Sequence, residues 1–393
     1  MKRLLLFILI SIIGISTANA QCPTAATVTL SSQADVNNFI INYPTCTVLP
    51  GNLFISNGGD ITNLNGIMNL TSVGGYLDIF NNNLLTNIDG LMNLTSVGGY
   101  LWFDNNDLLT NIDGLMNLTS VGGYLRFNDN DLLTNIDGLM NLTSLGGYVA
   151  FYNNTSLMNL DGLIGLTSIG GFLDIRNNAL LTNIDGLMNL TSVGGYVVFY
   201  NNTSLMDLDG LIGLTSIGGN LDIRNNAITN IDGLANVSSV GGNVIFNDNI
   251  SLMNLDGLIG LTSIVGGLDI RNNAISNIDG LANITSIGLF FNILNNPSLA
   301  LCCGAFPVLD AQGVNGNIII SGNLSSCNSE SEIIAIGGIV NWYQDLDGDG
   351  LGNPNVSEQV CGNPPNGYVL DNTDTNDLIF NCNPPCGANA GSF

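Results

Sequence analysis

Apolar and polar residues alternate in a short segment that recurs through most of the chain. In the segment 173–176, Leu-Asp-Ile-Arg, the apolar residues hold every second position. Successive side chains of a β-strand point to opposite faces, so the leucine and isoleucine are predicted to face inward and the aspartate and arginine outward. The longer stretch LDIRNNALLTNIDGLMNLT, residues 173–191, therefore predicts one strand followed by a turn and a return path.

An asparagine after this segment marks the period of the repeat. It recurs every 23 or 24 residues, at Asn82, Asn106, Asn130, Asn154, Asn178, Asn202, Asn226, Asn249, Asn273 and Asn296. A fixed period in the twenties is typical of a solenoid in which each repeat, or rung, adds one strand to a continuous parallel sheet. We predict that this asparagine points inward and bonds to backbone groups of neighbouring rungs, which a buried turn would leave unpaired.

The remaining positions of each rung also fit a packed interior. A further inward series is predicted at Leu180, Ile184, Leu187, Leu190 and Val193. Asp185-Gly186 predicts a turn, and Gly194-Gly195 allows a bend into the next strand. The sequence therefore predicts an all-β solenoid with one parallel sheet of about 10 to 12 rungs.

An aspartate stands at the predicted turn of most rungs. It recurs at Asp89, Asp113, Asp137, Asp161, Asp185, Asp209, Asp232, Asp256 and Asp279. A stacked row of carboxylates suggests a metal site, yet nothing else in the rung supplies converging ligands. An aspartate before glycine commonly bonds to the backbone of its own turn, so we assign the row a structural role.

The first 20 residues have the pattern of an export signal. Lys2 and Arg3 precede an apolar run, and residues 18–20, Ala-Asn-Ala, have the small-x-small form of a cleavage site. The run is too short for a membrane span, and no later stretch is long and apolar enough to be one. The sequence predicts a secreted or cell-surface protein whose mature chain begins at Gln21.

Five regions are predicted along the chain. They are the signal peptide 1–20, an N-terminal cap 21–50, the repeats 51–296, a C-terminal cap with a last rung 297–330, and an Asp- and Gly-rich tail 331–393. Leu53-Phe54-Ile55 begins an imperfect first rung, in which Gly58 takes the asparagine position. Repeat arrays need such atypical ends to stay soluble.

Basic residues are scarce. Lys2 and Arg3 leave with the signal peptide, so the mature chain keeps four arginines against 31 acidic residues. Such a chain repels polyanions, and the composition therefore argues against nucleic acid and anionic lipid as partners.

The cysteines lie outside the regular repeats, towards both ends of the chain. They are Cys22, Cys46, Cys302, Cys303, Cys327, Cys361, Cys382 and Cys386. An even number in an exported chain indicates disulfides that close the ends of the stack. We predict a bond between Cys22 and Cys46 and another from Cys302 or Cys303 to Cys327, although spacing alone leaves connectivity open. The chain has no histidine and no Cys-x-x-Cys pair, which disfavours zinc.

The repeat text GLTSIGGNLDIRNNAITNIDGLANVSSVGGNVIFNDN resembles the receptor L-domain. This is the leucine-rich solenoid of insulin-type and epidermal-growth-factor-type receptor ectodomains and of secreted bacterial relatives. The resemblance covers residues 50–330 and implies a right-handed β-solenoid that recognises partners and has no catalytic centre. No transmembrane or kinase segment follows, so the signalling function of the receptors is not implied.

The tail combines alternating aspartates with glycines in the motif Asp345-x-Asp347-Gly348-Asp349-Gly350, which resembles the thrombospondin type 3-like aspartate repeat of bacterial surface proteins. Alternating Asp on a Gly-rich loop gathers oxygen ligands around Ca²⁺. The predicted Ca²⁺ ligands are Asp345, Asp347, Asp349, Asp371, Asp374 and Asp377. Val356 stands where an EF-hand has its last glutamate, so the loop is not a standard EF-hand.

The tail also departs from the family it resembles. That family usually carries a cysteine between two late aspartates, and here the position is Thr375. The resemblance therefore leaves Cys361 to pair with Cys382 or Cys386. Apart from the predicted calcium loop, we expect this segment to be small and irregular.

Aromatic and arginine side chains concentrate at outward positions of the predicted strands. The predicted ligand-binding face consists of Tyr76, Tyr100, Trp102, Tyr124, Arg126, Tyr148, Tyr152, Arg176, Tyr196, Tyr200, Arg224 and Arg271, with Phe80 and Phe172 beside them. This composition is typical of a recognition surface. The alternative is a self-stabilising ladder in which Arg176 stacks on Tyr152 and Tyr200 and each Asp pairs with the Arg of its own strand.

Catalysis is disfavoured, because the chain has no histidine and only three glutamates, all outside the solenoid. Aspartate pairs can hydrolyse glycosides, but these aspartates are alike in successive rungs. The favoured hypothesis is a non-catalytic secreted or cell-surface protein that recognises an extracellular protein or polysaccharide. The alternatives are a calcium-dependent structural or adhesive component with the solenoid as spacer, and a glycan-active enzyme. The mode of surface attachment and the oligomeric state are left open.

Overall fold

The computed structural model describes residues 21–56, 59–348, 350–361 and 365–374. The predicted signal peptide and Gly58 of the first rung lie outside these residues. So do Asp349, Asp377, Cys382 and Cys386 of the tail.

The N-terminal end of the solenoid is closed by helix α1, Gln33–Asn42. The helix begins at the N-cap Ser32, whose hydroxyl accepts a hydrogen bond from the Asp35 amide at 3.1 Å. Val36 and Phe39 are buried beneath it. Cys22 and Cys46 form the predicted disulfide, which closes this cap covalently. The prediction of a covalently closed N-terminal end is confirmed.

The predicted parallel sheet runs the length of the solenoid and has 13 strands. These strands of the long sheet are Thr27–Leu30, Asn52–Ser56, Leu77–Phe80, Leu101–Asp104, Leu125–Asn128, Val149–Tyr152, Leu173–Arg176, Val197–Tyr200, Leu221–Arg224, Val244–Asn247, Leu268–Arg271, Phe291–Leu294 and Ile318–Ser321. Neighbouring strands pair in register, so that Leu173 lies between Val149 and Val197. The first strand comes from the N-terminal cap, which therefore contributes to the sheet as well as closing it.

The interior of the solenoid is a single apolar core filled by the inward positions of the rungs. Leu173 and Ile175 are fully buried, as predicted. The rings of Phe103, Phe127 and Phe151 stack above one another with centroids 5.0 and 5.2 Å apart. No single rung could bury this surface alone, so stability comes from stacking neighbours.

One predicted inward position is wrong. Leu180 is 51% exposed, whereas Leu181 is fully buried. The chain turns sharply at Asn177, whose φ is +58°, and the Leu181 amide then donates to the Asn178 carbonyl at 3.1 Å. This turn brings the third residue after Asn178 inward rather than the second. The tolerance of Asn and Asp for positive φ explains why one of them precedes the repeated asparagine in each rung that the structure describes.

The repeated asparagines form a buried ladder, as predicted. Asn178 is fully buried, and its Nδ2 donates to the carbonyls of Phe151 at 3.0 Å and Arg176 at 3.1 Å. Its backbone amide donates to Oδ1 of Asn202 in the next rung at 3.1 Å. The Asn178 side chain therefore satisfies a carbonyl and an amide of the preceding rung and a carbonyl of its own rung, and the next asparagine side chain satisfies the Asn178 amide in turn.

Two shorter parallel sheets form a second wall of the solenoid. The first contains Val48–Leu49, Ser72–Val73, Ser96–Val97, Ser120–Val121 and Ser144–Leu145, and the second contains Ser168–Ile169, Ser192–Val193, Ser216–Ile217, Ser239–Val240, Ser263–Ile264 and Ser286–Ile287. One buried aliphatic side chain per strand points into the core. These two-residue pairings were not predicted.

Each turn with an aspartate is a single 3₁₀ turn. These turns are Asp89–Leu91, Asp113–Leu115, Asp137–Leu139, Asp161–Leu163, Asp185–Leu187, Asp209–Leu211, Asp232–Leu234, Asp256–Leu258 and Asp279–Leu281, and Asn65–Ile67 and Cys303–Ala305 extend the row. A Cβ on Gly186 would collide with the Leu160 carbonyl of the preceding rung, so the glycine is required by rung spacing.

The predicted bond from each aspartate to its own turn backbone is replaced by a different one. At Asp113 the backbone amide donates to Oδ1 of Asn111 at 3.2 Å, so the asparagine two residues earlier holds the start of the turn. At Asp89 the carboxylate accepts from the Nδ2 of Asn87 at 2.7 Å. The aspartates therefore take part in the turn structure, as predicted. The hydrogen bond to the turn backbone, however, is made by the asparagine two residues earlier and not by the aspartate.

The C-terminal end contains two short helices and a small antiparallel sheet. Helix α2 is Phe306–Asp310 and helix α3 is Glu330–Ile336, and the sheet contains Ile339–Gln344, Ser357–Cys361 and Tyr368–Val369. The tail is therefore more regular than expected. Among the described residues, no helix is long and apolar enough to cross a membrane.

In the part of this end that the structure describes, two disulfides hold the chain together. Cys302 pairs with Cys327, which was one of the two predicted partners. Cys303 pairs with Cys361, so the predicted bond from Cys361 to Cys382 or Cys386 is wrong. The reason is topological: Cys303 begins a 3₁₀ turn at the end of the solenoid, and the strand Ser357–Cys361 ends beside it.

Candidate recognition face of the long sheet

The outer face of the long sheet presents three parallel columns of side chains. The first column contains the residue before each strand, including Tyr76, Tyr100, Tyr124, Tyr148, Phe172 and Tyr196. The middle column includes, in register, Asp78, Trp102, Arg126, Ala150, Asp174, Val198, Asp222, Ile245 and Asp269, and the third column Phe80, Asp104, Asn128, Tyr152, Arg176, Tyr200, Arg224, Asn247 and Arg271. The register thus brings all of the predicted face residues onto one surface.

The first column is a continuous stack of six aromatic rings. Successive centroids from Tyr76 to Tyr196 lie 4.0, 4.6, 4.4, 4.1 and 4.5 Å apart, with ring planes within 11° of parallel. Parallel in-register strands place equivalent side chains at the spacing of the strands, which is close to the stacking distance of aromatic rings. Each inner ring is covered on both faces, so the stack offers ring edges and hydroxyl groups to a partner.

Burial raises the pKa of several tyrosines in this stack, including Tyr100, Tyr124 and Tyr196. Burial is the main cause that raises the pKa of Tyr196 to about 12, and the nearby Asp174 carboxylate adds to it. The pKa of Tyr100 and that of Tyr124 are also raised, first by burial. The hydroxyl groups therefore stay neutral at physiological pH and can both donate and accept hydrogen bonds.

An arginine lies between two aromatic rings on the same surface. The Arg126 guanidinium carbon is 4.7 Å from the ring centroid of Trp102 and 5.3 Å from that of Tyr152. Trp102 also meets Tyr100 edge to face, with centroids 6.3 Å apart. These contacts join the three columns into one cluster of aromatic and cationic groups.

The other arginines of the solenoid pair with an aspartate of their own strand, as the ladder alternative predicted. Arg176 Nε donates to Asp174 at 2.5 Å, Arg224 pairs with Asp222 at 2.5 Å, and Arg271 pairs with Asp269. In the described part of the chain, Arg126 forms no ion pair with a carboxylate.

Two expectations about these charged residues are corrected. Asp174 faces outward but is only 1% exposed, because Arg176 covers it and the Tyr196 hydroxyl donates to it at 3.3 Å. The arginines over Tyr152 and Tyr200 are Arg126 and Arg224, the latter at 5.6 Å, rather than Arg176. Pairing with Asp174 holds the Arg176 guanidinium within its own strand.

Asp78 is a member of this surface that the sequence prediction did not include. It lies in the middle column between Phe54 and Trp102, and it is 6% exposed. Its Oδ1 is buried and accepts no hydrogen bond from the residues that the structure describes. Burial raises the pKa of Asp78 to about 6, and the nearby Asp104 carboxylate adds to the shift. The sequence feature that could have revealed this unpaired aspartate is Phe80, because three other rungs have an arginine at the equivalent position.

The predicted calcium ligands are only partly described. The Asp345 carboxylate accepts from the Gly348 amide at 2.7 Å and the Gly350 amide at 3.0 Å, which closes the predicted loop. Asp371 accepts from the Thr373 amide at 2.7 Å. Within residues 21–56, 59–348, 350–361 and 365–374, no three carboxylates or thiols converge as a metal site. The calcium site therefore stays a prediction.

Comparison with known proteins identifies the repeats. The family model for the receptor L domain matches residues 45–109. The model for the BspA type leucine rich repeat region matches six copies within residues 126–253. The repeats are leucine-rich repeats. The predicted resemblance of the solenoid is thus confirmed, and these matches end before the tail.

A solved structure is also similar to the chain. The chain is similar to an internalin (inlF) from Listeria monocytogenes str. 4b F2365, at 19% sequence identity and a TM-score of 0.44. The match covers 74% of this chain and 76% of that chain. No curated protein matches the chain.

Proposed function

We propose that this leucine-rich-repeat protein is a non-catalytic extracellular or cell-surface recognition protein that binds a partner through the outer face of its long sheet. One observation carries the proposal. The six rings of the first column, Trp102, Arg126 and Tyr152 form one connected cluster on the outer face, whereas the inward strand positions of the same rungs carry buried aliphatic or aromatic side chains. Aromatic and arginine side chains are the groups that dominate the binding energy of protein interfaces.

The geometry favours a protein over a polysaccharide as the partner. Sugar rings bind aromatic residues by lying flat on an open ring face, and the inner rings of the first column are covered on both faces by their neighbours. One face of Trp102 is taken by Arg126. The exposed ring edges and hydroxyl groups suit the hydrogen bonds and apolar contacts of a protein surface.

The predicted export signal, the disulfides and the acidic composition support an extracellular location. Within the described residues, three disulfides join six cysteines, and such bonds persist in oxidising compartments. The excess of carboxylates keeps the chain soluble and repels polyanions.

The test compares a protein partner with a glycan partner on the same variants. The mature protein is used in a pull-down from extracellular proteins and on a glycan array, as wild type and as Trp102→Ala, Tyr152→Ala and Tyr200→Ala. Met116→Ala is the control, because this side chain is exposed on the turn side of the rung. We expect a protein to bind the wild type and the control, and each aromatic variant to weaken binding by roughly tenfold.

Two results would contradict this proposal. Equal binding by wild type and all three aromatic variants would place the site elsewhere. Binding to the glycan array alone, lost in the same variants, would keep the face and replace the protein partner by a polysaccharide.

A further inference from the structure

Four strands of the long sheet begin with the same three residues, Leu-Asp-Ile, and they differ in the fourth. In three of them the fourth residue is an arginine that pairs with the aspartate of its strand. In the strand Leu77–Phe80 the fourth residue is Phe80, so Asp78 has no such partner. The chain thus contains three completed examples of an ion pair and one in which the cation is missing.

The surroundings of Asp78 make the missing cation costly. The carboxylate lies between Phe54 and Trp102 in the middle column, and Oδ1 is shielded from solvent without a hydrogen bond from any described residue. The Trp102 Nε1 is likewise buried without an acceptor among these residues. A desolvated carboxylate without a donor loses the hydration that an exposed one keeps.

The charged groups around Asp78 do not neutralise it. Asp104 lies on the next strand and opposes ionisation of Asp78, which together with burial raises the pKa of this carboxyl to about 6. The nearest cation in the middle column is Arg126, on the far side of Trp102 and held over its ring. Tyr76 and Tyr100 flank the group in the first column.

We propose that Asp78 is the docking point for a lysine or arginine side chain of the protein partner. The inference rests on the proposed recognition function and names the chemistry at one point of the face. Because only Oδ1 is enclosed, an N–H donor arriving from solvent reaches Oδ2, while its charge lies against the rings of Phe54 and Trp102. The partner thereby supplies the ion pair that the other three rungs make internally.

Other cationic occupants fit less well. A second copy of this chain would have to offer Arg126, because the other three arginines of its solenoid are already paired. A quaternary ammonium group has no N–H to give the carboxylate. The strongly acidic chain attracts basic protein surfaces at long range, which favours a partner with exposed lysine or arginine.

The test uses an array of octapeptides that are random except for a fixed central Arg, Lys, Gln or Glu. The wild-type mature protein is compared with Asp78→Asn and with Phe80→Arg, which turns Leu-Asp-Ile-Phe into the Leu-Asp-Ile-Arg that three rungs already contain. Asp222→Asn is the matched control, because that aspartate occupies the same column and is paired with Arg224. Circular dichroism and melting temperature confirm that each variant is folded.

We expect the wild type and Asp222→Asn to bind the Arg or Lys peptides on the order of tenfold better than the Gln and Glu peptides. Asp78→Asn should lose this preference because it removes the negative charge. Phe80→Arg should lose it because the new arginine pairs with the Asp78 carboxylate. The absence of any preference in the wild type, or its persistence in both variants, would overturn the inference. A preference for tetramethylammonium or phosphatidylcholine vesicles, tested as competitors against the Arg peptide, would also overturn it.

The two proposals fail in different ways. Suppose that Tyr152→Ala and Tyr200→Ala weaken binding of the captured protein but Asp78→Asn and Phe80→Arg do not. The recognition face is then supported, and the proposed role of Asp78 is wrong. If none of these variants weakens binding of that protein, the proposal that this face binds the partner is wrong.

Discussion

The inner and outer faces of the long sheet follow opposite rules. The inner positions repeat almost unchanged, with buried aliphatic and aromatic side chains above a ladder of identical asparagines. The outer positions change from rung to rung, as in the middle column, where Asp78, Trp102, Arg126, Ala150 and Asp174 follow one another. The same backbone carries both faces, so the difference shows which positions stability fixes and which are free to serve recognition.

The largest predicted effect contrasts two adjacent leucines. Leu181→Ala removes a fully buried side chain and should lower the free energy of unfolding by about 2 to 5 kcal/mol. Leu180→Ala removes a half-exposed one and should cost less than about 0.5 kcal/mol. Thermal or urea unfolding of both variants measures the difference. Equal losses would show that the turn after Asn178 does not place these side chains as described.

The next effect concerns the asparagine ladder. Asn178→Ala removes donors to the Phe151 and Arg176 carbonyls and should cost about 1 to 3 kcal/mol. Leu180→Ala, two residues further along the same turn and half-exposed, serves as the control, with a small loss. A loss for Asn178→Ala no larger than that of the control would remove the structural role of the ladder.

A charged pair on the outer face should have an intermediate effect. Asp174→Ala breaks two hydrogen bonds from Arg176 and one from Tyr196, and it should cost about 1 to 2 kcal/mol. The outward direction predicted from the sequence would by itself suggest a small loss, because outward strand positions are commonly solvated. An unchanged melting temperature would support that first expectation against the structure.

The unpaired aspartate of the same column should behave in the opposite way. The pKa of Asp78 is raised from 3.8 to about 6, so ionising it costs the folded protein more than the unfolded one. Wild-type stability is therefore lost as the pH rises through about 6, and Asp78→Asn should be more stable than wild type at pH 8 by on the order of 1 kcal/mol. Below about pH 4 the gain should vanish, because the carboxyl is protonated in both states. Urea unfolding across this pH range would contradict the prediction if Asp78→Asn were less stable at every pH.

The smallest expected effect on the solenoid is that of Ca²⁺. If the tail binds Ca²⁺ through Asp345 and its neighbours, chelation should open protease sites after about residue 330 and leave the repeats intact. Fragments must be separated under reducing conditions, because Cys303 and Cys361 are bonded. Equal resistance with Ca²⁺ and with chelator would remove the calcium prediction.

Most of the fold was predictable because it depends on a short sequence motif that is repeated many times. The period of 23 or 24 residues and the alternation of Leu173 to Arg176 were enough to predict the parallel sheet and the asparagine ladder. The errors came from single-residue details. Leu180 and Leu181 are chemically alike, and only the left-handed conformation at Asn177 decides which of them is buried.

The candidate site was predictable in composition but not in its interactions. Alternation placed the aromatic and arginine residues on one face, yet it could not show that Arg126 lies over Trp102 while Arg176 is drawn to Asp174. Asp78 was missed because its strand begins with the same Leu-Asp-Ile as the three strands with an Asp–Arg pair, and it differs only at the fourth residue, Phe80. The bond from Cys303 to Cys361 was missed because it depends on how the tail folds back onto the last turn of the solenoid.

That bond also sets how the molecule carries mechanical load. Cys303 and Cys361 are 58 positions apart, a length of chain that would extend to roughly 200 Å if it were pulled straight. With the disulfide intact, tension applied beyond Cys361 passes directly to the end of the solenoid, and helix α3 and the strand Ile339–Gln344 lie in a loop that bears none of it. Breaking this bond alone places residues 328–360 in line with the force, while the Cys302–Cys327 bond still bridges the residues between those two cysteines. The length of chain that carries tension at this end of the molecule therefore depends on the Cys303–Cys361 bond.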